Sequence, residues 1–194
     1  MSRDGSHAKV AYNWYGSWTT IYNLYADAQL CFHLENTDTK SPGFVPRHIY
    51  QKQSLWYHYV RQKYGLPLDS RHLYTKTDWE FFSMAVASTP VRTEILESVA
   101  RWVNETVTDR PFTDLHNTEG DGNFPGPNFF ARPVIGGHFA FLALERACGG
   151  RATPGLSFLD DVDQETLRSW ESVAEAAVSE FVRPWRLHHG DDEL

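Results

Sequence analysis

Apolar side chains in this chain recur at three- and four-residue intervals, and nowhere do they alternate over the length of a strand. The sequence can therefore bury its apolar surface only by packing helices together. From Trp18 to Phe32 the apolar positions Ile21, Leu24, Tyr25, Ala28, Cys31 and Phe32 paint one helix face. A second helix is predicted from Pro46, with Ile49, Gln53, Trp56, Tyr57 and Val60 on one side, stopping at Gly65 before Pro67. Thr77-Asp78-Trp79-Glu80 has the form of a capping box, with Glu80 reaching back to the Thr77 N–H, and opens a third. Thr89-Pro90 opens a fourth, through Ile95, Val99, Trp102 and Val103. The stretch His138 to Ala147 is apolar almost all round, as for a helix buried on every side, and ends at Gly149-Gly150. A sixth starts behind Asp163 and runs to Pro184. The expected fold class is all-α: about six helices in three hairpins, with long polar loops after the second and fourth.

A chain of 194 residues with 41% hydrophobic side chains has enough material for one domain with its own core. Its 7 Trp, 9 Tyr and 12 Phe suit either a bulky core or a cleft that stacks flat ligands. A net charge of -7 repels phosphate backbones, so no nucleic-acid partner is expected. Met1 to Lys9 reads as a polar leader, and no long apolar run is present, so neither a signal peptide nor a membrane span is expected and the chain reads as soluble. Cys31 and Cys148 sit in apolar helical settings and read as free buried thiols rather than a disulfide. Asn104-Glu105-Thr106 fits the N-glycosylation pattern, which has meaning only in the secretory pathway.

Four segments carry a resemblance: Tyr22 to Asp27 (YNLYAD), Tyr64 to His72 (YGLPLDSRH), Thr75 to Glu80 (TKTDWE) and Ala131 to Phe139 (ARPVIGGHF). Together they resemble the fungal glutaminase A family over about residues 10 to 148. The resemblance implies part of a six-hairpin α/α toroid, hydrolysis of L-glutamine to glutamate and ammonia, and a longer, secreted chain. Six hairpins hold twice the helices found here. The expected partners are therefore a missing half-toroid or other domains, besides a small-molecule substrate such as glutamine. Residues 1–150 would form the toroid segment, with 151–194 adding a helix and acidic tail to the same domain.

Releasing ammonia from an amide takes an activated nucleophile, an acid for the leaving nitrogen and donors for the oxyanion. Binding free glutamine adds a cation for its carboxylate and an anion for its ammonium. In the segment 69–80 the candidates are Asp69 or Asp78 as general base, Lys76 or His72 as donors, and Arg71 as carboxylate clamp. Arg132 and His138 flank Gly136-Gly137, whose conformational freedom would let amides gather as an anion cradle. Each has a structural alternative: Asp69 bracing a loop with Arg71, Arg132 pinned to Asp114, His138 bonded in the core, Glu80 closing the capping box. Neither a cofactor nor a metal is expected, since no metal-ligand or phosphate-loop motif occurs and His188, His189, Asp191 and Asp192 read as solvated tail. Two rivals stay open: a glycoside hydrolase using paired carboxylates such as Asp69 and Asp78, and a non-catalytic half-toroid.

Overall fold

The computed structural model describes residues 1–34, 43–109, 114–123 and 132–182. Six α-helices run through them: α1 (Asn23–Gln29), α2 (Arg47–Val60), α3 (Thr77–Ala85), α4 (Thr89–Glu105), α5 (Ala140–Gly150) and α6 (Gln164–Ala177). The all-α expectation holds with one addition, an antiparallel ribbon of β1 (Tyr74–Lys76) and β2 (Leu115–Asn117) with Thr75 opposite His116. Three residues per strand are too few to leave a periodic signature, which is why the sequence shows no strand. Among the described residues no helix is long and apolar enough to cross a membrane. The tail residues His188, His189, Asp191 and Asp192, and the helix stop at Pro184, lie outside the described residues.

Two apolar clusters form the core, sharing α3. In one, Trp56, Tyr57 and Val60 of α2 meet Ile95, Val99 and Trp102 of α4 and Ala174 and Ala177 of α6. In the other, Leu24 and Ala28 of α1 meet Ala85, Val86, Ala140 and Leu144, closed by Leu156, Phe158 and Leu159 of a 3-10 turn at Pro154–Asp160. The half-buried Phe81 and Phe141 pack against both. Asp163 caps α6, its carboxylate accepting the Thr166 N–H at 2.9 Å.

Several expectations need correction. The first helix is shorter than its apolar pattern, because residues 18–20 are drawn into extended pairing with the 68–70 loop: the Thr20 N–H donates to Leu68 O and Thr19 bridges Asp69. The leader is docked: His7 is buried and stacks on Trp56 at 4.0 Å, and the Ala8 N–H donates to Gln53 Oε1. Burial pushes the His7 pKa down to about 4, keeping its ring neutral. Helix α5 is not buried all round. It packs through Ala140 and Leu144, while Leu142 is 57% exposed and Phe139, just before the helix, is 64% exposed.

The cysteines are not free. Cys31, just beyond α1, and Cys148, at the end of α5, form a disulfide across 117 residues. Both adopt positive φ, 69° and 57°, so each helix ends as its cysteine turns towards the other. Apolar surroundings were compatible with buried thiols; the approach of the two helix ends, Cα atoms 5.7 Å apart, is a tertiary fact.

Candidate active site

The capping box does not form. Helix α3 begins directly from β1, and its Thr77 N–H donates to the carbonyl of Asp114 at 2.9 Å, where β2 arrives alongside. With that amide satisfied, Glu80 turns inward and accepts the Leu66 N–H at 2.7 Å. Gly65, at φ 140°, makes room for it, since a Cβ there would lie 2.0 Å from Glu80 Oε1. Burial holds the Glu80 carboxyl well above the usual range and pushes His116 down to about 4. Burial thus disfavours the charged form of both partners in the 3.8 Å approach of His116 Nε2 to Glu80 Oε2.

The Thr77 hydroxyl, released from capping, instead meets His138 Nε2 at 2.8 Å. His138 lies on a 3-10 turn, Pro133–Phe139, laid against the start of α3. Gly137 permits that contact. A Cβ at Gly137 would fall 2.5 Å from Asp78 Cβ, whereas one at Gly136 would meet nothing. The glycines thus serve close approach rather than unusual φ, for neither adopts positive φ, and the expected cradle of freed amides is replaced by a 3-10 turn.

Charges alternate around this contact. Lys76 Nζ lies 3.3 Å from Asp78 Oδ2 and 3.9 Å from Asp114 Oδ2, and Arg132 grips Asp114 with Nε at 2.8 Å and with Nη2. Asp78 and Asp114 are almost fully buried, and Asp78 Oδ1 has no hydrogen-bond partner among the described residues. Burial lowers the His138 pKa, opposed by the negative charges of Asp78 and Asp114, so the ring is neutral near pH 7. Beside Lys76, whose Nζ is 5.6 Å from the Trp79 ring centre, Trp79 packs on Tyr22 at 3.9 Å as a half-exposed aromatic wall.

Lys76, Asp78, Arg132, Gly137 and His138 are thus brought together from two stretches of chain. Asp69, Arg71 and His72 are engaged elsewhere. Arg71 donates from Nε and Nη2 to the two Asp69 oxygens at 2.9 and 2.7 Å, and His72 stacks on Tyr74 at 4.8 Å. Among the described residues none of their side-chain bonds reaches the Lys76 group. Local pattern alone assigns Thr77 to capping and Asp114 to a loop brace; pairing of β1 with β2 puts both here. Among the described residues no three His, Cys, Asp or Glu side chains gather as metal ligands.

The profile of the glutaminase A six helical-hairpin domain matches residues 1–142. A probable glutaminase of Arthroderma benhamiae is 65% identical over 183 residues, covering 86% of this chain and 21% of the relative. Glutaminase A of Aspergillus oryzae is 46% identical over 139 residues, covering 71% of this chain and 19% of the relative. The chain therefore spans about a fifth of the length of these relatives. No solved structure matches it significantly. With more than half its residues matched by the profile, the chain belongs to the glutaminase A six helical-hairpin domain family.

Proposed function

We propose that this chain supplies part of an amidohydrolase that cleaves the side-chain amide of L-glutamine, acting within a longer protein. The observation that carries the reading is the meeting of His138 with Thr77 beside Lys76 and Asp78, four residues from two distant segments in one charged, half-buried group. Two relatives named as glutaminases support the reaction class.

In this reading Thr77, fully buried, fixes the His138 ring, and the half-exposed imidazole takes a proton from the attacking water. The water oxygen adds to the amide carbon as Lys76 offers a cation to the developing oxyanion. The C–N bond then breaks, and ammonia leaves with the proton held by His138. Asp78 and Asp114 hold Lys76 in place and favour the imidazolium, while Arg132 holds Asp114. The Tyr22–Trp79 wall is the proposed seat for the substrate's aliphatic chain. Asp69 and Arg71 brace the approach to β1, with Arg71 offering a substrate carboxylate only what it shares with Asp69. We assign residues 151–182 to the same domain, since α6 packs on α2 within one core.

The test is ammonia release from glutamine by the full-length protein carrying His138→Gln. A loss of about 100-fold or more in kcat with unchanged unfolding behaviour is expected. Unchanged turnover would remove His138 from the chemistry, and release of reducing sugar from oligosaccharides without ammonia from glutamine would replace the reaction.

A further inference from the structure

Asn104-Glu105-Thr106 is the one Asn-x-Ser/Thr sequence in the chain, and the proposed chemistry makes no use of it. Two observations give it meaning. The first is the Cys31–Cys148 disulfide: such a bond forms and persists in an oxidising compartment, which in a eukaryotic cell is the compartment where asparagine-linked sugar is added. Both relatives described above come from fungi. The second is placement. Helix α4 faces the core with Val91, Ile95, Val99 and Trp102, and Asn104 follows Trp102 by two residues, about 200° round the helix. It is exposed in the last turn, where Val103 and Val107 beside it are 61% and 90% exposed. A sugar chain there points away from the apolar face of α4 that packs into the core.

We infer that Asn104 is an N-glycosylation site, modified by transfer from a lipid-diphosphate-linked oligosaccharide. Asn104 Nδ2 forms the new bond to the anomeric carbon and gives up a proton. The bond from that carbon to the diphosphate oxygen breaks, and the lipid diphosphate leaves. The order of events follows from Thr106. Its Oγ1 is buried without a hydrogen-bond partner among the described residues, against Gly122, where a Cβ would come within 2.3 Å. The hydroxyl that the transferase must read is thus enclosed once the 119–122 turn closes, so transfer precedes that closure. The finished glycan then sits on an exposed side chain and leaves the fold undisturbed.

The experiment is peptide mass mapping of the native protein from its source cells, read at the Asn104 peptide so that sites elsewhere in a longer chain do not matter. Enzymic amide cleavage in heavy-oxygen water should convert Asn104 to labelled Asp, with Cys31 and Cys148 recovered as a disulfide-linked peptide pair. Asn104→Gln should abolish the label at this peptide and leave the unfolding midpoint of the deglycosylated protein unchanged. An Asn104 peptide recovered wholly unmodified, or free thiols at Cys31 and Cys148, would overturn the assignment.

Discussion

Gly137 lies so close to Asp78 that a Cβ on the glycine would fall 2.5 Å from Asp78 Cβ and 2.9 Å from its Cα. One of those atoms is backbone in the first turn of α3, so the clash cannot be relieved by rotating a side chain. Gly137→Ala must push the 3-10 turn away from α3. The expected cost is about 1–3 kcal/mol in denaturant unfolding, with loss of turnover in the full-length protein as His138 leaves Thr77. Gly136→Ala, which meets open space, should change stability by less than about 0.5 kcal/mol. Equal effects at the two positions would mean that the turn does not seat on Asp78.

The helices were legible because each buries a stripe that its own sequence repeats every three or four residues, as with Ile95, Val99 and Trp102. What escaped was decided between distant segments. Glu80 forms the right local pattern for a capping box, yet β2 supplies the acceptor for the Thr77 amide and Leu66 supplies a donor for Glu80. Residues 18–20 continue an apolar helical pattern, but the Trp18 and Thr20 amides find partners in the 68–70 loop and the Thr19 amide donates to Ala8 O. In the site the residue types were readable, with Lys76, Asp78, Arg132 and His138 standing out by chemistry. The separation of that set from Asp69, Arg71 and His72 was not, since three residues of β1 carry the chain from one group to the other.

Asp78 should set the acid limb of the pH–rate profile. Burial lowers the His138 pKa and the charges of Asp78 and Asp114 raise it again, so a base of this kind loses activity as pH falls through a value below the usual 6.5. Asp78→Asn removes one of the opposing charges, so the acid limb of kcat/KM should move to lower pH while kcat falls by at least about 10-fold. A limb that stays in place would separate Asp78 electrostatically from the proton acceptor.

The disulfide should be the largest single contribution to stability. Closing a loop of 117 residues is worth about 5 kcal/mol in the chain-entropy model. Reduction, or the Cys31→Ser, Cys148→Ser double variant, should lower the denaturant midpoint sharply while leaving helical content intact in the absence of denaturant. A midpoint insensitive to reductant would show that the core already holds the ends of α1 and α5 together.

Glu80 should behave as a neutral acid. It is fully buried, its Oε1 accepts the Leu66 N–H, and burial raises its pKa well above 4.5. The folded state therefore holds a proton that the unfolded chain gives up near 4.5. Stability from this group is complete below that pH and is lost as pH rises through the folded value. Glu80→Gln keeps the shape, the acceptor and the neutrality, so it should lie within about 1 kcal/mol of the parent in acid and become the more stable protein as pH rises. Glu80→Ala leaves the Leu66 amide unpaired in the core, at a cost of about 1–3 kcal/mol before any cavity is counted. Unfolding free energies across pH for the parent and the Gln variant decide the matter: curves that diverge above 4.5 mark a protonated Glu80, and parallel curves mark an ionised one.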